Sequence, residues 1–325
     1  QSQIQHPINA NPRVAVIWLP PSFKNKIMIR IITCILLVSV LCISCGRFGN
    51  KETDGAGNMR IVCLSKHLTE MVFALGKGHN LVAVDLSSTY PDSAKLLKTV
   101  GYHRALSPES IIAMTPDLVI HSNDIGPENV LPQITKAGLN IKTFGGANTI
   151  DSAKRLLQEL GKFFGEEKKA DSIINAMTAG ITQAADTLQS FNIRDSLNVM
   201  IIHFGLRNNN YFVMSGRNGV GDKMLRLAGC RPAKYDGKGA REMSAEAVAL
   251  ANPDIIIATD FGYDRMGSMD KFISSVPGVA LTNAGKNKRI VRFEEHDLVY
   301  FGPRTGENVL KLIHLLHPIP NAANQ

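Results

Sequence analysis

The first half of the chain is organised around the stretch VDLSSTYP at residues 84–91, which runs on to GYHR at residues 101–104. The apolar run Leu81–Val84 ends there in small polar residues, a pattern that predicts a buried strand followed by a loop. Pro91 disfavours the α region for Tyr90 and suits the start of a helix directly after it. We therefore expect Tyr90 to lie extended at the carboxyl end of a strand, where ligands bind in open α/β sheets.

Tyr90 is the first candidate ligand-binding residue. A phenolate is a hard, charged oxygen donor that suits ferric iron, and tyrosine is a recorded axial ligand of haem. A free tyrosine titrates at about pH 10, so such a ligand needs the metal or a nearby cation to favour the phenolate. A loop aromatic with only a packing role fits the same residue, and chemistry alone favours that second interpretation.

A longer segment carries a family resemblance. STYPDSAKLLKTVGYHRALSPESIIAMTPDLVI at residues 88–120 resembles the haem-binding proteins of bacterial ABC importers, and shorter matches recur at Thr69–Glu70, 280–285 and 301–305. The resemblance covers most of the chain beyond its first sixty residues. It implies that Tyr90, the tyrosine of S-T-Y-P, coordinates the iron of a ferric haem that is carried as cargo.

The N-terminal region has the pattern of a secretion signal. Residues 1–44 contain four basic residues and no acidic one. The apolar run 31–41 has the length of a signal-peptide core and is short for a bilayer span, which needs about 20 residues. Residues 1–27, ahead of a possible start at Met28, form a doubtful extension that we leave out of the fold prediction.

A lipid anchor is expected directly after this signal. LCISCG at residues 41–46 resembles a bacterial lipoprotein cleavage box in which Cys45 is the lipidated residue, with an uncleaved membrane anchor as the alternative. Residues 45–58 are glycine-rich and polar, which predicts a flexible tether. We therefore expect a protein of the periplasm or cell envelope that contacts the membrane through lipid alone.

Charge, cysteines and motifs exclude several classes of function. The formal net charge is +8, and removing the four N-terminal cations leaves +4 for residues 45–325. No Lys/Arg cluster alternates with aromatics, so we expect no nucleic-acid partner. Cys63 and Cys230 lack C-x-x-C partners and are expected to be two buried thiols. Because the sequence has no P-loop, G-x-S-x-G or H-E-x-x-H motif, we expect no enzyme.

An internal repeat predicts two similar halves. Residues 106–120 match residues 243–257, a shift of 137 positions. Each copy has a serine that can cap a short helix, an acidic residue in the first turn, and then Pro-Asp before an apolar strand. The apolar runs predict strands at 61–64, 81–84, 118–121 and 141–144 in the first half, and at 199–204, 255–259 and 290–293 in the second. Such strands, alternating with helices, indicate parallel sheets covered on both faces.

A single long helix is predicted between the halves. Apolar residues recur every three or four positions over 166–191, which is typical of an amphipathic helix about 39 Å long. The predicted fold is therefore α/β, with two Rossmann-like lobes that have parallel central sheets and are joined by one backbone helix. We expect lobes at 59–165 and 192–319, linked by 166–191, in a protein that acts as a monomer.

The second lobe offers further candidates for the ligand. His203 ends the predicted strand 199–204 and could be a second axial ligand of haem iron. Tyr263 and Arg265 are expected in the loop after residues 255–260, where Arg265 could bind a propionate or favour a phenolate. A strand-end histidine with ordinary partners and a solvated loop arginine remain the alternatives.

Two residues of the first lobe complete the binding set. His103 and Arg104 follow Tyr90 in the chain and could approach the same ligand. Arg104 matches the arginine of the family's V-G-Y-x-R segment, although both residues could also make ordinary surface or helix-cap contacts. Gly302–Pro303–Arg304 is expected only to form the turn into a last helix, from about Thr305 to Leu316.

Two acidic residues have a different expected role. Glu70 lies early in the first helix, and Asp222 opens the equivalent helix of the second half. The resemblance implies an exposed acid on each lobe that meets arginines of an inner-membrane ABC permease, although two lone surface acids are usually just solvated charges. The expected function is thus capture of haem between the lobes and delivery to that permease.

Three other functions remain open. A binding protein for cobalamin or a ferric siderophore would have the same fold, with Tyr90 as a packing aromatic. An envelope protein that scavenges or stores haem would need no permease. An enzyme built on this scaffold would require detectable turnover.

Overall fold

A computed structural model describes residues 59–317 except 123, 194–195, 205–210, 217 and 235–243. The expected signal region, Cys45 and the tether lie outside the described residues, as does the first residue of the second repeat, Met243. Everything below concerns the described part of the chain.

The first sheet is parallel throughout. Its strands are β1 (Ile61–Cys63), β2 (Leu81–Val84), β3 (Lys98–Thr99), β4 (Leu118–His121) and β5 (Ile141–Thr143). They lie in the order β3-β2-β1-β4-β5. The connecting helices are α1 (Lys66–Ala74), α2 (Pro108–Ile112), α3 (Val130–Lys136) and α4 (Ile150–Phe164). Four of these strands, β1, β2, β4 and β5, confirm the strands predicted from apolar runs in the sequence. β3 is exposed and polar, so no apolar pattern predicts it.

One long helix, α5 (Glu167–Ser190), follows the first sheet and confirms the predicted connection. Its 24 residues extend about 36 Å at 1.5 Å per residue. Ala170, Met177 and Ala184 are its buried residues, and all three belong to the predicted apolar stripe. None of the described helices, α5 included, is long and apolar enough to cross a membrane.

The second sheet is mostly parallel. Its strands are β6 (Asn198–Phe204), β7 (Tyr211–Val213), β8 (Arg231–Pro232), β9 (Ile255–Thr259) and β10 (Ile290–Phe293). The order is β10-β9-β6-β7, and β8 pairs with the start of β6. The prediction of a parallel central sheet is confirmed for β6, β9 and β10, and the end strand β7 runs antiparallel to β6. The chain between these two strands is too short for the crossover that parallel pairing needs.

Six helices accompany the second sheet. They are α6 (Val220–Leu227), α7 (Ala245–Ala251), α8 (Asp260–Met266), α9 (Met269–Ser275), α10 (Asn283–Lys286) and α11 (Thr305–Leu316). The last helix has the predicted bounds. The fold is therefore α/β, with two sheets joined by a single backbone helix.

Hydrophobic packing runs through both halves. The largest apolar cluster contains Ile61 of β1, Ala170 of α5 and Val199 of β6, together with residues of α11. Two smaller clusters contain the other apolar residues of each sheet. Because the main cluster is shared, the lobe limits 59–165, 166–191 and 192–319 stay a prediction.

The internal repeat corresponds to a repeated local structure. Ser107 accepts a hydrogen bond from the Ser110 amide ahead of α2, and Ser244 accepts one from Ala247 ahead of α7. The strands that follow, β4 and β9, each lie between two neighbours in their sheet. Capped helix and buried strand thus recur in the same relation, as the sequence predicts.

Cys63 and Cys230, the cysteines in the described part of the chain, are both buried and unpaired, which confirms the predicted thiols. Burial is the main reason that the pKa of the Cys63 thiol and that of the Cys230 thiol rise to about 12. Both side chains are therefore protonated at neutral pH and pack as small apolar groups.

Replacing Gly306 by alanine is expected to destabilise the protein by about 2 kcal/mol. Helices α5 and α11 approach so closely that a Cβ at Gly306 would lie 2.3 Å from the carbonyl carbon of Gly180. The two helices would have to move apart. The free-energy cost of this movement outweighs the usual stabilisation of a helix by alanine in place of glycine. Urea unfolding measures the change.

The matched control for that substitution is Gly219→Ala. A Cβ at Gly219 meets nothing within 4 Å. Gly219 is the N-cap of α6 and alanine is a poorer cap than glycine, so the free energy of unfolding should fall by only about 0.5 kcal/mol. Equal effects of the two substitutions would contradict the importance of this helix crossing.

Candidate functional site

Polar side chains from both halves meet where the strands of the two sheets end. The first half contributes the N-terminal turns of α1 and the loop after β2, and the second half contributes the segment between β10 and α11. We call this set the interlobe cluster: Lys66, Glu70, Tyr90, Glu295, His296, Asp297, Tyr300 and Arg304.

Tyr90 is the accessible aromatic of the interlobe cluster, with 37% of its surface exposed. The guanidinium carbon of Arg304 lies 3.5 Å from the centre of its ring. The His296 ring is 5.8 Å away, centre to centre. A cation over a ring face is attracted by the ring quadrupole. The first-lobe tyrosine is thus held beside a cation of the second lobe.

Glu70, near that tyrosine, connects the two halves of the chain by hydrogen bonds. Its carboxylate is 3% exposed and accepts hydrogen bonds from Arg304 Nε at 3.0 Å and from the Tyr300 hydroxyl at 2.8 Å. It also lies 2.9 Å from His296 Nε2. Arg304 extends the network by donating to Asp297 at 2.6 Å. A buried acid and a partly buried cation therefore form an ion pair across the interface.

The surroundings of Glu70 keep it ionised. Burial by itself would raise the pKa of this carboxyl group, but the hydrogen bond to His296 and the charge of Arg304 outweigh it, so the pKa is lowered. Burial and the negative charge of Glu70 raise the pKa of Tyr300 well above its usual value. The network therefore contains a carboxylate and a neutral phenol at neutral pH.

A second ion pair joins the halves nearby. The Lys66 ammonium donates to both carboxylate oxygens of Glu295, at 2.6 and 2.8 Å. Burial of Glu295 would raise its pKa, but the charge of Lys66 outweighs this and lowers it. Glu295 is in turn positioned by its backbone amide, which donates to Asp260 at 2.9 Å.

A buried carboxylate shapes the loop that carries the tyrosine. Asp85, directly after β2, is fully buried and accepts from the Ser88 hydroxyl at 2.6 Å and from the Ser87 amide at 3.0 Å. His103 Nδ1 lies 3.2 Å from the same carboxylate. Because several donors converge on one acceptor, the loop is held close to the end of its strand.

His103 and Arg104 occupy different environments. His103 is 7% exposed and is held by Asp85, with Asp124 at 3.8 Å from its other nitrogen. His103 therefore makes structural contacts within the first lobe. Arg104 is exposed, and no described residue forms a side-chain hydrogen bond or ion pair with it. A ligand contact of Arg104 stays a prediction.

His203 lies at the carboxyl end of β6, as predicted from the sequence. Its Nδ1 is 3.0 Å from the Thr259 hydroxyl, so Nε2 is the nitrogen that could bind a metal. Burial lowers the pKa of His203, and the nearby charge of Glu295 only partly opposes this. The imidazole is therefore neutral at pH 7, the form that ligates iron. No described contact joins His203 to Tyr90.

Tyr263 and Arg265 lie on helix α8, so the predicted loop is wrong. The helix begins after Thr259 and ends at Gly267, which adopts the left-handed conformation with φ 78°. Tyr263 packs in the second-sheet cluster at 5.9 Å from the Phe272 ring. The exposed Arg265 lies over the Phe204 ring. The structure does not bring either residue into contact with Tyr90.

The expected exposure of Glu70 and Asp222 is also wrong. Glu70 is enclosed by the interlobe cluster, and Asp222 has no exposed surface. The Asp222 carboxylate accepts from the amide of Gly216 at 2.8 Å and so holds the turn ahead of α6. Both acidic residues therefore accept hydrogen bonds from within the protein. Their equivalent positions near the starts of two helices do not distinguish this structural role from a docking role.

Arg304 is the site residue that the sequence interpretation missed. Gly302–Pro303–Arg304 does lead into α11 as expected, but the arginine side chain also contacts Tyr90 and Glu70. Its partners lie more than 200 positions away in the chain. The match at residues 301–305 to the family pattern was the available signal.

The free energy of unfolding is expected to fall as the pH drops from 7.5 to 5.5, in part because of His67. This residue of α1 is 8% exposed, and its Nε2 has no hydrogen-bond partner among the described residues. Burial lowers its pKa, only partly opposed by the charge of Asp124. The unfolded chain therefore binds a proton at about pH 6.5 before the folded chain does, so stability is full above that pH and declines below it.

Denaturant unfolding at several pH values checks this expectation. His67→Phe should reduce the pH dependence by up to about 1.4 kcal/mol per pH unit. His79→Gln, a change at an exposed histidine, is the control. An unchanged slope in His67→Phe would show that the imidazole is not kept neutral by the fold.

The fold and the site together define a two-lobe binding protein. The chain belongs to the periplasmic binding protein family, whose model matches residues 61–296. Among solved structures it is similar to the periplasmic heme-binding protein RhuT from Roseiflexus sp. RS-1, with 32% identity, a TM-score of 0.72, and coverage of 80% of this chain and 98% of that one.

Three other similar proteins are described by the ligand that they bind or by their part in transport. A periplasmic heme-binding protein from Pseudomonas aeruginosa shares 27% identity, with a TM-score of 0.70 and coverage of 80% and 93%. The uncharacterized ABC transporter substrate-binding lipoprotein YvrC of Bacillus subtilis is 26% identical over 261 residues, 80% of each chain. The vitamin B12-binding protein of Pectobacterium carotovorum is 31% identical over 112 residues, which are 34% of this chain and 40% of that protein.

Proposed function

We propose that this protein is the substrate-binding component of a bacterial ABC importer, that its substrate is ferric haem, and that it is not an enzyme. The observation that carries the proposal is Tyr90, a partly exposed tyrosine in the loop after β2 with the Arg304 cation against its ring. A phenolate beside a cation has the chemistry of a ferric haem ligand. Similarity to solved haem-binding proteins supports the same substrate.

Each candidate residue has a role in this proposal. Tyr90 binds the iron, and Arg304 places its guanidinium against the face of the Tyr90 ring. His203, neutral and with Nε2 available for a metal, is the candidate for a second axial position. Arg265 and Arg104 are the exposed cations proposed to meet the propionates.

The proposed location is the cell envelope, with a lipid on Cys45 and the folded part on a short tether. The pattern at residues 41–46 supports this, as does the similarity to a protein named a lipoprotein. The proposed partner is an inner-membrane permease, supported by the same relative's description as an ABC transporter component. We propose that the protein acts as a monomer.

Cobalamin is the second candidate substrate, favoured by the similarity to vitamin B12-binding proteins. In that case Tyr90 would pack against the ligand and not bind a metal. Parallel absorbance titrations of the purified protein with ferric haem and with cyanocobalamin distinguish the two. Saturable haem binding that excess cobalamin does not displace is the expected result, whereas binding of cobalamin alone would overturn the haem proposal.

A further inference from the structure

A cavity of about 310 Å³ lies between α4 and α6. It is lined by Thr149, Ile150, Lys223, Arg226, Leu227 and Phe301, none of which belongs to the interlobe cluster. Thr149 follows β5, whereas Tyr90 follows β2, and two strands lie between them in the sheet. Three strand spacings put these strand ends roughly 14 Å apart. The cavity therefore lies beside a different strand end from the one that precedes Tyr90.

Two cations line this cavity, and none of its lining residues is acidic. The Lys223 ammonium donates to the Asn148 carbonyl at 2.8 Å, and Arg226 Nη1 donates to the Asn218 side chain at 3.1 Å. In the described part of the chain neither cation pairs with a carboxylate. An ammonium has three N–H donors and a guanidinium five, so both keep donors for a further acceptor.

The remaining wall is largely apolar. Ile150, Leu227 and the ring of Phe301 supply it, and Phe301 is a core residue with a fixed position, 1% exposed. Small-molecule pockets start at about 300 Å³ and combine apolar walls with a few polar groups that orient the ligand. An apolar wall beside two uncompensated cations is complementary to a molecule with an apolar body and one anionic group.

We propose that this cavity binds a small amphipathic organic anion, with its charged group between Lys223 and Arg226 and its apolar body against Leu227 and Phe301. Thr149 belongs to the first half of the chain and both cations to the second. The Phe301 amide also donates to the Ala147 carbonyl at 2.8 Å across the same junction. A bound anion therefore joins the two halves at a second place, through residues other than those of the interlobe cluster.

The probe for this site is anilinonaphthalenesulfonate, a dye with an aromatic body and one sulfonate. Calorimetric titration of the full chain is expected to show saturable one-site binding that weakens with added salt. The double substitution Lys223→Gln/Arg226→Gln should raise the Kd at least about tenfold, because two charge-assisted hydrogen bonds are lost. Leu227→Trp should also weaken binding, since the larger side chain fills the cavity.

The matched control is Lys168→Gln/Lys271→Gln, which removes two exposed positive charges elsewhere. It should leave the Kd of the dye unchanged. Absence of saturable binding, or equal affinity in the control and in both cavity variants, would overturn the proposal. Haem titration of the same variants is a separate readout, so failure of this site and failure of the haem proposal are distinguishable.

Discussion

Replacing Tyr90 by phenylalanine is expected to lower the affinity for ferric haem at least about a hundredfold, a change of about 2.8 kcal/mol. The substitution removes the phenolic oxygen, the atom proposed to bind iron, and keeps the ring against Arg304. The tyrosinate charge-transfer band should disappear from the absorbance spectrum of any complex that remains. An absorbance titration of both proteins measures the affinity and the spectrum together.

The control for this substitution is Tyr211→Phe, which removes a hydroxyl from a partly buried tyrosine of β7. It should bind haem as the unmodified protein does and keep the tyrosinate band. Retained affinity in Tyr90→Phe would instead assign the iron contact to another residue. His203 would then be the leading candidate, because its neutral Nε2 is the other potential ligand of the iron.

Glu70→Gln is expected to lower the free energy of unfolding by about 3 kcal/mol. The amide has the shape of the carboxylate but no charge, so the partly buried guanidinium of Arg304 keeps only Asp297 as a charged partner. His296 and Tyr300 also lose a charged partner for their hydrogen bonds. Breaking one member of a buried network costs far more than breaking a surface pair because the remaining charge is left desolvated.

The pH dependence of stability gives a second readout for Glu70. Burial opposes the ionised form of this group, but His296 and Arg304 lower its folded pKa, so the unfolded carboxylate takes up its proton first as the pH falls. The stabilising contribution is therefore full above about pH 4.3 and is lost as the pH drops through the folded pKa. Glu70→Gln should flatten the stability curve in that acid range.

Urea unfolding between pH 7 and pH 3 measures both effects. Glu307→Gln is the matched control, since Glu307 forms an exposed pair with Lys311 on α11 at 2.9 Å. Its substitution should change stability by less than about 0.5 kcal/mol. If the two glutamates respond alike, the interlobe cluster does not hold the halves together.

Local patterns in the sequence were enough to predict most elements of the fold. The apolar runs at 81–84, 118–121 and 255–259 are strands with the predicted bounds, because a continuous apolar run between turn signals fits a strand buried on both faces. The three-and-four spacing in α5 predicted a long helix, and the repeat predicted two similar halves. The strands, the helix and each copy of the repeat depend on patterns among residues that are close together in the chain.

Short or weakly patterned elements were not predicted correctly. β3 and β8 have two residues each, too few for an alternation to appear. The segment around Tyr263 was assigned to a loop, although Gly267 supplies the left-handed end of a helix. The direction of β7 depends on its connection to β6, which a strand pattern does not encode.

By itself the sequence determined the α/β class, the connecting helix, the repeat and the position of Tyr90 at a strand end. Only the tertiary structure decided which side chains meet there. Glu70 and Arg304 are 234 positions apart, and nothing in the local pattern of either indicates the other. Burial of a charge is favourable only with its partner in place, so the role of such residues follows from the packing of the two halves and not from their sequence neighbours.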